Sequence, residues 1–143
     1  MKIDTVNLLK ECNSGIKMGV SSISRVMPYV KNEKLKSALN ACKDEHAVLG
    51  DESHKLLLKY GVETKEPHPV ARMMSDMKIR SKMMMNKTDR TVADLMTDGC
   101  NMGVKSLSRY LNEYSHASSD VKSLTNRVIM AEKTLNEQLR AYL

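Results

Sequence analysis

Apolar positions recur at steps of three and four along almost the whole chain, the spacing of one buried face on a helix. The series Leu9, Cys12, Ile16, Gly19/Val20, Ile23, Met27 predicts a first helix from about Asp4 to near Pro28. Asp4 suits its N-cap, and Pro28 must kink or end it. A second helix starts after Asn32, with Glu33 at the positive end of its dipole. Its seam is Leu35, Leu39, Cys42, His46, Leu49, Ser53, Leu56, Tyr60, and Gly61 suits the position just past its end. The stretch VETKEPHP reads as a loop. From Pro69 to Met85 a third helix follows, with Val70, Met73, Met74, Met77, Met84 and Met85 on one stripe and Ile79 and Met83 off it, at the surface. Thr88 caps a fourth helix, from about 89 to 114, whose inward positions are Met96, Gly99/Cys100, Gly103, Leu107 and Leu111. Ser118 or Ser119 caps the last, with seam Val121, Leu124, Val128, Ala131, Leu135, Gln138, Tyr142.

The two long hairpins are related. Residues 14–27 read SGIKMGVSSISRVM and residues 98–111 read DGCNMGVKSLSRYL, with seven of fourteen positions identical at an offset of 84. Similar hairpins that bury their apolar faces on each other make a pseudo-symmetric bundle. The chain therefore divides into hairpin 1 (4–61), a crossover helix (68–86) and hairpin 2 (88–142), one domain over 1–143. A 17-residue helical connector covers roughly 25 Å. That is enough to run along the bundle and start the second hairpin at the same end as the first.

Composition sharpens this picture. With no Trp, no Phe, five Tyr and twelve Met, the core must be Leu, Val, Ile, Ala and Met, which favours an all-α fold. No apolar run approaches the roughly 20 residues of a membrane span. The N-terminus lacks the apolar core of a signal peptide. Three cysteines with no CxxC suggest free thiols in a reducing cytoplasm.

The stretches NSGIKMG, TDGCNMG, KDEHAVLGDE and VIMAEKTLNEQ, in the order hairpin, amphipathic crossover, hairpin, resemble the ferritin-like superfamily. More closely, the chain resembles a family of small bacterial four-helix-bundle proteins of unknown function within it. The resemblance implies a ferritin-like four-helix bundle with an extra helix in its long crossover. It also implies four positions where di-iron members carry carboxylates and Glu-x-x-His motifs. Here Ile16 and Cys100 stand where carboxylates would be, Glu45 is followed by Val48, and Glu132 by Leu135. Asp51-x-x-His54 is the nearest substitute, off the seam. A complete di-iron site needs about four carboxylates and two imidazoles, so none is expected.

The helix midpoints bring Glu45, His46, Cys100 and Glu132 to mid-bundle as candidate metal ligands. Thiolate with imidazole favours one zinc ion over iron. The simpler reading is a His–Glu pair holding a buried proton, with no cofactor. Gly15, Gly19, Gly99 and Gly103 form a Gly-x-x-x-Gly in each related helix and predict close approach of those two helices, because helical glycine costs roughly 1 kcal/mol relative to alanine.

The net charge of +6 is concentrated: residues 67–90 carry six basic and two acidic side chains. Arg72, Lys78, Arg80 and Lys82 are the candidate partner-binding cations. No aromatic residue lies between 61 and 109, so nucleic-acid stacking is not expected. Soft thioethers could take Cu(I), but methionines at helical spacing pack as core. The chain has no P-loop, Rossmann glycine pattern, HExxH or nucleophile elbow. The expected function is a non-enzymatic interaction or structural protein, as homo-oligomer or with a protein partner. The alternative is a metal-binding redox or storage protein.

Overall fold

The computed structural model describes residues 2–63 and 69–143, and the side chains of all of these except 69–76. Among them all regular structure is helical: α1 (Lys2–Val26), α2 (Glu33–Lys59), α3 (Pro69–Met85), α4 (Asp89–Glu113) and α5 (Ser119–Leu139), with short 3-10 turns at Met27–Tyr29 and Arg140–Tyr142.

Local chemistry sets most of the boundaries. Pro28 falls inside the 3-10 turn that ends α1. Asn32 Oδ1 accepts from the Leu35 amide at 3.0 Å, and Thr88 Oγ1 from the Thr91 amide at 3.2 Å. Gly61 takes φ +64°, and the amides of Gly61 and Val62 return to the carbonyls of Leu58 and Leu57, the paired bonds of a Schellman cap. Asp4 does not cap α1, which starts before it. Its carboxylate accepts instead from the His116 amide at 3.0 Å.

Side-chain pairs fix the directions. Ser53 donates to Asn13 in the antiparallel α1–α2 hairpin, and Asn136 to Asn101 in the antiparallel α4–α5 hairpin. Arg127 meets Glu52, and Lys59 meets Asp120, so α5 also runs antiparallel to α2. Asp4 and Thr5 bond the amides of His116 and Ser118, which sets α1 antiparallel to α4 and parallel to α5. Asp89 accepts from the amides of Lys31 and Asn32, at 2.8 and 3.1 Å. The second hairpin therefore starts beside the α1–α2 turn, at the opposite end from the start of the first. The helical connector is long enough for this, and the Asp89 contact holds that end.

The core lies in two apolar halves. One gathers Ile23, Leu35, Leu39, Val92, Met96, Leu135 and Leu139. The other gathers Leu8, Leu9, Leu49, Leu57, Leu107, Val121 and Leu124. The seams drift from a strict three–four alternation: Leu57 is buried rather than Leu56, and Glu132 and Leu139 rather than Ala131 and Gln138. A straight helix of 3.6 residues per turn slips against a 3.5-residue repeat in this way.

The crossover helix turns over relative to expectation. Ile79 and Met83 are buried against the bundle, while Met77, Met84 and Met85 are exposed. Lys78 and Lys82 flank the buried stripe and pair with Asp98 and Asp94 of α4, both at 3.2 Å. Burying the other stripe would separate those charges. Val70, Met73 and Met74 lie outside the described side chains. Met83→Ala is expected to destabilise by about 2 kcal/mol. Met84→Ala should change stability by less than about 0.5 kcal/mol. Urea titration of the two variants checks the orientation, and the reverse ranking would refute it.

Candidate functional site

Between the two apolar halves lies a polar layer. Burying an imidazole or a carboxylate requires partners, because neither can bond to water there. His46 of α2 has them: its side chain is fully buried, Nε2 lies 2.9 Å from Glu132 Oε1 of α5, and Nδ1 lies 2.9 Å from the carbonyl of Cys42 one turn earlier. A carbonyl can only accept, so Nδ1 carries a proton. The remaining proton lies between Nε2 and the carboxylate. The Cys42 sulfur sits 3.5 Å from Nδ1 and reaches toward the Ala131 carbonyl.

Burial alone would push the His46 imidazole down. Hydrogen bonds to Cys42 and Glu132, with the Glu132 charge, override it and raise the value from 6.5 to about 10. The shift favours the protonated imidazole, held between the Cys42 carbonyl and Glu132. Cys100 of α4 is fully buried beside it. Burial first, then the charge and hydrogen bond of Glu132, push its thiol far above the ordinary range. It remains a protonated donor toward the carboxylate. Burial likewise pushes Cys12 up to about 12 against a hydrogen bond with Thr125. Thiols held protonated in this way are poor nucleophiles at neutral pH.

Glycines shape the pocket. A Cβ built on Gly19 would come within 2.9 Å of His46 Cδ2 and Nε2 and 3.3 Å of Glu132 Oε1. Gly103 faces the Glu132 side chain at 3.6 Å, and Gly15 faces Leu107 at 3.6 Å. Around Gly99 nothing lies within 4 Å. The expected backbone approach at all four glycines is therefore corrected. Gly19 makes room for an imidazole, and Gly99 faces open space.

Of the four candidate ligands, the structure brings together His46, Glu132 and Cys100. Glu45 is exposed and faces a groove of about 360 Å³ between α2 and α5, with Cys42, Arg127 and Met130 also on its walls. One residue's rotation from His46 is enough to turn it outward. Cys42 joins the layer although the midpoint argument passed over it; its place four residues before His46 on one seam was the available signal. No group of three or more His, Cys, Asp or Glu side chains among the described residues is arranged to hold a metal. The layer also does not fit a di-iron carboxylate centre. It supplies one carboxylate and one imidazole, each already bonded to the other, and Asp51 and His54 are both exposed.

Of the candidate partner-binding cations, Lys78 and Lys82 are tied to α4, Arg80 is exposed, and Arg72 lies outside the described side chains. No helix among the described residues is long and apolar enough to cross a membrane.

A second polar cluster, unforeseen in the sequence, pins α2 to α5. Asp120 accepts from the Val121 amide at 2.8 Å and Lys59 at 3.0 Å, and also from the Ser118 hydroxyl. The Tyr60 hydroxyl lies 3.1 Å from both of its oxygens. Burial pushes this carboxyl up, but the hydrogen bonds from Ser118, Lys59, Tyr60 and Val121 prevail and hold it at about 2, below 3.8. A depressed carboxyl stabilises fully above its unfolded value and loses that contribution as pH falls through the folded one. Melting temperature should therefore fall between about pH 4 and 2, less steeply in Asp120→Asn. Equal slopes in wild type and variant would refute this role.

No protein-family model matches the chain, and comparison with curated proteins and with solved structures returned no match.

Proposed function

We propose that this chain is a ferritin-like helical bundle that lacks a complete di-iron site and acts as a non-enzymatic structural or interaction protein. The observation that carries the reading is the His46–Glu132 pair. Among the described residues, the one buried carboxylate and the one buried imidazole satisfy each other at 2.9 Å, and Gly19 lies against both. The order of helices supports the ferritin-like part: two antiparallel hairpins, joined by a helical crossover, with α2 beside α5 and α1 beside α4. Three free, buried thiols suit a reducing compartment such as the cytoplasm.

The experiment is elemental analysis of untagged protein purified without chelator, repeated after incubation with zinc and with ferrous iron. The expected result is metal well below one equivalent per chain and an unchanged melting temperature. Zinc or iron near one equivalent, lost in Cys100→Ser and Glu132→Ala, would overturn the reading in favour of a metal-binding redox or storage protein.

A further inference from the structure

We propose that the outward face of α3 docks an acidic, amphipathic helix of a partner protein. The inference rests on reading the chain as an interaction protein. Ile79 and Met83 already anchor α3 to the bundle. At 100° per residue, Met77, Met84 and Met85 then fall on the opposite side, with Arg80 at its edge. The methionines there are 64%, 75% and 86% exposed. Met77 and Met84 are seven residues apart, two helical turns, which is the spacing that meets a partner helix along one seam. Methionine suits such a surface, because an unbranched, polarizable side chain adapts to the shape laid against it.

Charge identifies the partner. Asp94 and Asp98 already offset Lys82 and Lys78, whereas Arg80, at the edge of the methionine face, and Lys87, two residues past the end of α3, are exposed. Residues 77–88 contain no acidic side chain. A second copy laid face to face would set Arg80 and Lys87 against their own equivalents, a like-charge contact that disfavours self-association here. A membrane is a poorer match, since the face has no Trp or Phe to seat in the interface. An apolar seam edged by glutamate or aspartate would cover the methionines and meet the cations together.

The test uses the whole protein and a labelled synthetic peptide of three heptads, with leucine at a and d and glutamate on the flanks, read by fluorescence anisotropy. A scrambled peptide of equal composition is the control. Vesicles of phosphatidylglycerol and sedimentation equilibrium probe the other occupants. The expected result is salt-sensitive binding of the ordered peptide, weakened roughly tenfold or more by Met77→Ser with Met84→Ser. Arg80→Glu with Lys87→Glu should weaken it as much, with helix content unchanged in both variants. No binding, equal binding of the scrambled peptide, or indifference to both variants would overturn the proposal. So would vesicle binding or self-association that these variants abolish while the peptide stays unbound. Metal near one equivalent with peptide binding intact would instead overturn the parent reading alone.

Discussion

In urea titrations at neutral pH, Glu132→Ala is expected to lose about 3–5 kcal/mol of stability, the usual cost of stranding one charge of a buried pair. The imidazole of His46 is fully buried, and its Nε2 meets Glu132 Oε1 at 2.9 Å. Without the carboxylate it must give up its second proton and leave a donor or acceptor unsatisfied. Replacing both members by apolar side chains, His46→Leu with Glu132→Leu, should recover most of that loss. The pH dependence has a definite sign. The folded value of His46, about 10, lies above its ordinary 6.5. Its contribution is therefore complete below about pH 6.5, declines as pH rises, and is gone above about 10, a change on the order of a few kcal/mol. The buried thiols Cys12 and Cys100 add a separate alkaline loss, which begins only near their ordinary value of 9.0. Between pH 6.5 and 9 the slope belongs to His46, and Glu132→Gln should flatten it. A wild-type stability that does not change over that interval would contradict a buried imidazolium.

Features set within one or two turns were legible in the sequence. Asn32 and Thr88 cap because each side chain needs nothing beyond an amide three residues away. Gly61 and Pro28 act through their own backbone geometry. The buried positions of the crossover helix were not legible, because methionines occur on both of its sides and periodicity cannot rank them. The deciding contacts, Lys78 with Asp98 and Lys82 with Asp94, join separate helices. The central layer lies between these cases. His46 and Cys100 could be found from seams and helix midpoints, and Glu132 from the midpoint alone, since the expected seam ran through Ala131. Glu45 lies off the α2 seam that carries His46, and only the mid-helix estimate, coarser than the 100° that turns one residue outward, drew it in. The role of Gly19 was hidden because it depends on an imidazole 27 residues away.

That role yields the sharpest contrast within one residue type. Alanine in place of a helical glycine ordinarily stabilises by roughly 1 kcal/mol. Gly99→Ala should show this gain in full, since its new Cβ would meet nothing within 4 Å. Gly103→Ala should gain somewhat less, because its Cβ would make ordinary contact with Glu132 at 3.6 Å. At Gly19 the same methyl would stand 2.9 Å from two atoms of a ring held at both nitrogens. The imidazole cannot swing aside without breaking one of those bonds, so Gly19→Ala is expected to lose about 2–4 kcal/mol. The loss should shrink in the His46→Leu, Glu132→Leu background, because the two changes act on one contact and cannot add. A gain at Gly19 equal to that at Gly99, or an undiminished loss in that background, would show that the glycine serves something other than the pair. Position 19 of α1 would then have to be explained by the backbone alone, although the atoms nearest to it belong to His46 and Glu132.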